Sequence, residues 1–199
     1  LREQIQEIMA LEGIHGSVDD ITVTTGSQHA LDLISDLFLD QGDVVLVEAP
    51  SYVGAVGIFR HKEAQIEHVF TDHDGISPEA LEETAGRLLS EGKRIKILYL
   101  VPNFANPSGV TLTAERRIQV LEICKRYGIL IVEDNPYGQL YFDQKPPKAM
   151  RSLDEENIVY LGSFSKILSP GLRVGYVLAP PAIREKLVLA NESAILSPA

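Results

Sequence analysis

The stretch Ser163 to Tyr176 holds the residues with the most evident chemistry, and Lys166 is its centre. It begins just after the apolar run Ile158 to Leu161, so we expect a buried strand that ends at an amine and two serine hydroxyls. The guanidinium of Arg173 follows seven residues after the lysine. An amine among anion-binding groups suits a Schiff base with a phosphorylated aldehyde cofactor, because the hydroxyls and the arginine can hold the phosphate. A solvated lysine at a strand end is the alternative that this stretch alone leaves open.

Apolar runs rich in β-branched residues alternate with helical stretches along the chain. The runs cover Ile21 to Thr24, Val44 to Val47, Ile95 to Leu100, Ile129 to Val132 and Ile158 to Leu161, and the helical stretches include Gln28 to Phe38, Pro78 to Ser90 and Ala114 to Tyr127. Near-continuous apolar strands separated by helices are typical of a mostly parallel sheet that is covered on both faces. Ligands bind such sheets at the carboxyl ends of the strands, so functional residues are expected where each apolar run ends.

The loop after the first run combines a glycine with a serine and leads directly into a helix. Gly26 permits close approach of a ligand. The free N–H groups of the first helical turn form an anion site together with the Ser27 hydroxyl. The alternative is that Ser27 only caps the helix, as serine often does. The loop lacks the G-x-G-x-x-G spacing of a dinucleotide site.

Two further run ends carry a tyrosine and an asparagine. Tyr52 follows a proline-containing turn, where its ring can stack on a planar ligand, although a tyrosine at the edge of a core gives the same pattern. Asn106 opens the turn Asn106 to Gly109, and its amide is available to a phenolic oxygen. The bond from Asn106 to Pro107 is a candidate for the cis form, since cis bonds occur almost only before proline. A plain turn is the alternative here.

Asp134 follows the apolar run Ile129 to Val132, and Tyr137 comes three residues later. A carboxylate at the end of a buried strand is costly unless it meets a cation or hydrogen-bond donors, and a protonated pyridine nitrogen would supply that cation. Side chains alternate along a strand, so Glu133 is expected to point to the opposite face. The alternative for Asp134 is a turn or helix-cap residue.

Composition and charge argue against several classes of function. The chain has 199 residues, 45% hydrophobic and 23% charged, which is typical of a globular domain with a full core. A formal net charge of -10 argues against a nucleic-acid surface in this segment, and no apolar run is long enough for a membrane span. The single cysteine, Cys124, is expected to be a packed thiol in a helix; it excludes an internal disulfide, and a cytoplasmic location follows as an expectation. No metal site is predicted.

Five ordered blocks carry a specific resemblance to a known family. They read TTGSQHALDL at Thr24 to Leu33, EAPSY at Glu48 to Tyr52, PNFANPSG at Pro102 to Gly109, EDNPYGQL at Glu133 to Leu140 and GSFSKILSPGLRVGY at Gly162 to Tyr176. The chain resembles the large domain of fold-type I, class I/II aminotransferases, in particular the branch with 2-aminoadipate and kynurenine aminotransferases and the aminotransferase-like domains of MocR regulators. The resemblance implies a three-layer α/β/α fold with a mostly parallel seven-stranded sheet, and pyridoxal 5'-phosphate (PLP) as the cofactor.

The same resemblance implies a role for each candidate residue. Lys166 would form the Schiff base and carry a proton between substrate and cofactor, and Asp134 would pair with the pyridinium nitrogen. Tyr52 would stack on the ring, while Asn106 and Tyr137 would hydrogen-bond its phenolic oxygen. The phosphate would be held by Gly26, Ser27, Gln28, Ser163, Ser165 and Arg173.

By this resemblance the protein is a PLP-dependent aminotransferase of class EC 2.6.1, which exchanges an amino group between a 2-amino acid and a 2-oxo acid. We expect 2-oxoglutarate as acceptor in a ping-pong cycle. A PLP lyase on the same fold and the effector-sensing domain of a MocR-type transcription regulator are the alternatives. Relatives are longer and work as homodimers. Residues 1–199 are therefore interpreted as a large PLP-binding domain truncated at both ends, without the N-terminal arm and the small C-terminal domain that carries the substrate-carboxylate arginine.

Overall fold

A computed structural model describes residues 1–195. Within them, six helices and eight strands alternate along the chain. The helices are α1 (Arg2–Leu11), α2 (Ser27–Phe38), α3 (Val53–His61), α4 (Pro78–Ser90), α5 (Ala114–Tyr127) and α6 (Pro181–Ala194). The strands are β1 (Ile21–Thr24), β2 (Val44–Ala49), β3 (Gln65–Asp72), β4 (Gly75–Ile76), β5 (Ile95–Leu100), β6 (Leu130–Asp134), β7 (Ile158–Ser163) and β8 (Gly175–Leu178).

The strands form one sheet in the order β1-β8-β7-β6-β5-β2-β3-β4. The five strands from β7 to β3 in this order are parallel to their neighbours, whereas β8 is antiparallel to β7 and β1, and β4 is antiparallel to β3. The prediction of a three-layer fold with a mostly parallel sheet is confirmed. The described residues contain eight strands rather than the predicted seven. Strand β4 has only two residues, which is too short to leave a hydrophobic period in the sequence.

Helices cover both faces of the sheet, which explains why its central strands are apolar along their whole length. Helices α2, α3 and α6 pack on one face through residues such as Ile34, Phe59 and Leu187. Helices α4 and α5 pack on the other face through residues such as Leu81 and Val120, and α1 covers the end of that face beside β1 and β8. Every residue of β7 is buried, and β2 is buried at all but its last position.

The predicted helices begin and end where the local chemistry requires. Thr113 caps α5 by accepting a hydrogen bond from the Arg116 N–H, and Gly128 ends it in the left-handed conformation at a φ of 66°. Ser77 caps α4 in the same way. Cys124 is buried within α5, as predicted. None of the helices between residues 2 and 194 is both long enough and apolar enough to cross a membrane.

Arg117 of α5 holds together the loops beside the carboxyl edge of the sheet. Its side chain is only 1% exposed. The guanidinium donates to the carbonyl oxygens of Pro102, Leu112 and Lys148 at 3.2, 3.0 and 2.9 Å, and to Asn103 Oδ1 at 2.6 Å. A longer bond of 3.4 Å reaches the carbonyl oxygen of Pro147, so a single cation joins acceptors from three separate parts of the chain.

Replacement of Arg117 by leucine should destabilise the fold strongly, because it leaves buried acceptors such as Asn103 Oδ1 without their donor. We expect Arg117→Leu to lower the free energy of unfolding by about 3 kcal/mol or more. The matched control is Arg126→Leu on the same helix: the Arg126 side chain is 60% exposed and pairs with Glu82. That change should cost less than about 1 kcal/mol. Urea unfolding followed by circular dichroism measures both, and equal losses in the two variants would contradict this role of Arg117.

Candidate functional site

A cavity of about 330 Å³ opens at the carboxyl edge of the sheet. It collects residues from the ends of β1, β2, β5, β6 and β7, as expected for an α/β sheet. Its lining consists of Ser27, Gln28, Tyr52, Tyr99, Val101, Asn106, Asp134, Pro136, Tyr137, Ser163, Ser165, Lys166, Pro170 and Arg173. Every sequence-predicted site residue except Gly26 is among them, and Gly26 lies next to the guanidinium of Arg173.

The start of α2 forms one wall of this cavity. Gly26 occupies the N-cap position with a φ of 81°, and a Cβ atom there would lie 2.7 Å from Nη2 of Arg173. A Cβ on Gly175 of β8 would lie 2.5 Å from the backbone nitrogen of Ser27, so glycine is needed at both positions. No side chain caps α2. Ser27 is the first helical residue rather than the cap, which leaves its hydroxyl and the first-turn N–H groups available to an anion.

Arg173 and two serines complete this anion-binding wall. Arg173 has a φ of 50°, a left-handed conformation that is uncommon for a residue with a side chain and often occurs at functional sites. In residues 1–195 no carboxylate lies within ion-pairing distance of its guanidinium. The backbone N–H of Ser165 donates to the Ser163 hydroxyl at 3.1 Å, which fixes the two serines relative to each other. The wall thus carries an uncompensated positive charge.

Asp134 is a buried carboxyl at the end of β6 that lines the same cavity. It is 6% exposed, and its Oδ2 accepts a hydrogen bond from the Tyr99 hydroxyl at 2.8 Å. Its Oδ1 has no partner within the described residues. Burial raises the pKa of Asp134 to about 6, and the hydrogen bond from Tyr99 acts against that rise. Glu133 is bound on the other face, where it accepts from the backbone N–H groups of residues 150 and 151, as the strand alternation predicts.

Aromatic and amide groups occupy the rest of the cavity wall. The half-buried ring of Tyr52 lies against Gly54, and its hydroxyl is 3.5 Å from Gln28 Oε1. The bond from Asn106 to the following proline is cis, which is one of the two alternatives that the sequence left open. Burial and the nearby Asp134 charge both raise the pKa of the Tyr137 hydroxyl.

Lys166 reaches the cavity from the loop after β7, and its side chain is exposed. The cavity also contains residues that sequence reasoning missed, namely Tyr99, Val101, Pro136 and Pro170. Of these, Tyr99 carries a polar group, yet a tyrosine inside an apolar strand gives no signal that separates it from a core residue. No group of three or more His, Cys, Asp or Glu residues in the described range is placed to hold a metal ion. The arrangement can therefore bind an anion, a planar ring and a ring cation together, beside a primary amine.

Comparison with known proteins relates the chain to one family. A family model described as aminotransferase class I and II matches residues 1–199. The chain is 45% identical over 175 residues to aromatic-amino-acid aminotransferase 1 of Thermococcus litoralis, covering 87% of this chain and 42% of that protein. It is 35% identical over 190 residues to the uncharacterized HTH-type transcriptional regulator YisV of Bacillus subtilis, covering 94% of this chain and 38% of that protein. The chain thus spans less than half the length of these relatives.

Solved structures give the same relationship. The crystal structure of Pyrococcus horikoshii kynurenine aminotransferase, which is a complex with PMP, matches with a TM-score of 0.92 and 42% identity. The match covers 98% of this chain and 48% of that chain.

The buried carboxyl should make the stability of the ligand-free chain depend on pH. The folded-state pKa of Asp134, about 6, lies above the ordinary value of 3.8, so the folded chain binds the proton more tightly than the unfolded chain. Its contribution is fully present below the unfolded value and is lost as pH rises through about 6, a change of about 3 kcal/mol.

The Asp134→Asn variant should lose this part of the pH dependence. Urea unfolding of wild type and variant at pH 4, 5, 6 and 7 measures it, and the stability difference between them should shift in favour of the variant as pH rises. Asp143→Asn, at an exposed loop position, is the control. If the stability difference between wild type and Asp134→Asn is the same at every pH, the prediction is contradicted.

Proposed function

The chain belongs to the aminotransferases of class I and II, and we propose that its protein is a PLP-dependent aminotransferase of class EC 2.6.1. Its resemblance to the branch with kynurenine aminotransferases is confirmed by the solved structure described above. One observation carries the proposal: a single cavity combines the Lys166 amine, the Asp134 carboxyl and the anion-binding wall around Arg173. Only one oxygen of that carboxyl has a hydrogen-bond partner among the described residues.

The residues of the cavity fit PLP. The unpartnered Oδ1 of buried Asp134 is an acceptor for a protonated ring nitrogen, which is the cation that this carboxyl lacks. The phenolic oxygen of the cofactor would find donors in Asn106 and Tyr137, and Tyr52 would stack on the ring. The phosphate would be held by the first N–H groups of α2 next to Gly26, including that of Gln28, and by the side chains of Ser27, Ser163, Ser165 and Arg173.

Bound PLP supplies an electron sink for the carbon that carries the substrate amino group. The chain's own residues do the remaining work. Lys166 would supply the amine that attaches the cofactor. Once the amino group of the substrate displaces Lys166, its free Nζ would be the base that takes and returns the proton of the substrate carbon. Asp134, when ionised, holds the proton on the ring nitrogen. We propose that the reaction passes an amino group from a 2-amino acid to a 2-oxo acid, with 2-oxoglutarate as acceptor and ping-pong kinetics.

We also propose the context in which this site works. Residues 1–199 would form the large domain of a longer cytoplasmic protein that acts as a homodimer, with an N-terminal arm and a small C-terminal domain outside the present chain. The coverage of 42% of the Thermococcus enzyme supports this division. The substrate-carboxylate arginine would belong to the small domain.

A second candidate function is effector sensing, as a domain of a MocR-type regulator. The 35% identity to a HTH-type transcriptional regulator supports this candidate. In that case the same cavity would bind PLP and an amino acid without sustained turnover. A PLP lyase is a third outcome of the same test, because the fold does not fix the type of reaction.

Cofactor attachment should depend on Lys166. When the chain is mixed with PLP and reduced with borohydride, we expect a covalent adduct on Lys166, located by peptide mass spectrometry. Lys166→Ala should abolish the adduct, whereas Lys186→Ala, at an exposed position of α6, should leave it in place. Folded wild-type protein without a Lys166 adduct would remove the central claim.

The type of reaction should be visible in the products of the full-length protein. With a panel of 2-amino acids and 2-oxoglutarate, an aminotransferase gives one equivalent of the new 2-oxo acid for each glutamate formed and releases no ammonia. Ammonia release would indicate a lyase. Binding of amino acids with a spectral change but no product would favour the regulator.

A further inference from the structure

Tyr99 is a cavity residue whose ring is fixed by packing from three sides. It lies one residue before the carboxyl end of β5 and is 0% exposed. Its register partners are Val47 on β2 and Val132 on β6. The ring of Phe59 from α3 meets it edge-on, with centroids 5.7 Å apart and planes at 70°. The position of the Tyr99 hydroxyl is therefore set by the fold and not by a mobile side chain.

That hydroxyl makes the two oxygens of Asp134 unequal. A phenol has one proton to donate, and Tyr99 gives it to Oδ2 of Asp134 at 2.8 Å. Oδ1 of the same carboxyl is buried and has no partner in the part of the chain that the structure describes. One oxygen is thus anchored from within the sheet, while the other stays available to a donor in the cavity.

We propose that Tyr99 is a positioning residue for Asp134, whose anchored Oδ2 leaves Oδ1 oriented towards the protonated ring nitrogen of a pyridine cofactor. The identity of that cofactor rests on the proposed function, whereas the hydrogen bond is present in the chain itself. The hydroxyl also serves a second purpose, since a donor to the charged form of a carboxyl favours ionisation. Tyr99 therefore acts against the burial that favours the neutral form of Asp134.

The electrostatic surroundings agree with these two roles. Burial holds the pKa of Tyr99 well above its ordinary value, and the neighbouring charge of Asp134 adds to that rise, so the phenol remains a donor. Removal of the hydroxyl would move the pKa of Asp134 further upward. The other titratable or charged groups that face this pair or share its cavity are Glu48, Tyr52, Tyr137, Lys166 and Arg173. Burial also raises the pKa of Glu48 to about 7, so the test needs a readout specific to Asp134.

The Tyr99→Phe variant removes the hydroxyl and keeps the ring. The chain is labelled with ¹³C at aspartate carboxyls and titrated by NMR without cofactor, and the Asp134 signal is identified by its absence in Asp134→Asn. We expect the titration midpoint of Asp134 to rise by about one pH unit or more in Tyr99→Phe. The matched control is Tyr127→Phe at the end of α5, because Tyr127 also donates to a carboxylate, Glu82 Oε1 at 2.6 Å, and does not line the cavity. It should leave the Asp134 midpoint unchanged.

A second measurement tests the orienting role. Spectroscopic titration with PLP at pH 8 should show about tenfold weaker binding for Tyr99→Phe and less than a twofold change for Tyr127→Phe. An unmoved Asp134 midpoint in Tyr99→Phe overturns the proposal, as does a moved midpoint with unchanged PLP affinity. If wild type binds no PLP through Lys166, the proposed function fails, and the midpoint comparison alone decides whether Tyr99 controls Asp134.

A folding defect in Tyr99→Phe would also be informative. If the variant is unfolded at pH 8 but folds at pH 5, or folds at pH 8 when Asp134→Asn is added, the lost hydroxyl was compensating the charge of Asp134, which supports the proposal. A variant that remains unfolded under both conditions shows that Tyr99 serves only packing, and this result overturns it.

Discussion

The cost of burying a carboxylate at the end of β6 is the constraint on which the rest of the site depends. Asp134 is 6% exposed, and a charge in such a place is unstable without donors or a cation. The chain supplies one donor, Tyr99, and leaves the second oxygen without a partner among the described residues. Burial raises the pKa of this carboxyl to about 6, although the hydrogen bond from Tyr99 acts against the rise. A ligand with a protonated ring nitrogen relieves a cost that the fold itself carries, so binding and ionisation favour each other.

A buried polar network beneath the cavity fixes the loops that carry its residues. Asn135, directly after the cavity carboxyl, donates to Glu12 at 2.5 Å and accepts from Asn103 at 2.9 Å. Glu12 also accepts from the Tyr160 hydroxyl at 2.6 Å, and Arg117 extends the network by its bond to Asn103. Its members come from the residue after α1, from β7 and α5, and from the loops after β5 and β6. Because these partners satisfy one another, the network restrains both loops, and their positions depend on groups far away in the sequence.

The sequence predicts most elements because burial on both faces leaves long apolar runs. The strand Ile95–Leu100 and the helix Ala114–Tyr127 agree with the structure residue for residue. Strand β3 (Gln65–Asp72) was not predicted, since it lies near the sheet edge with most of its residues outside the core. The role of Tyr99 could not be predicted from the sequence either. Its partner Asp134 is 35 residues away, and only the register between β5 and β6 brings the two together. A hydrogen bond of this kind depends on tertiary structure, which no local pattern encodes.

The relationship to both an aminotransferase and a transcriptional regulator has a physical explanation in the placement of the cavity residues. The amine, the carboxyl and the anion-binding wall all lie on strand ends of this one chain, so it contains the complete set proposed to hold the cofactor. Turnover adds a separate requirement, because only interactions that strengthen in the transition state accelerate a reaction. Those interactions involve the substrate, and they can change while the cofactor set stays the same. One scaffold can therefore hold PLP for catalysis in one protein and for sensing in another, and measured turnover, rather than cofactor binding, separates the two functions.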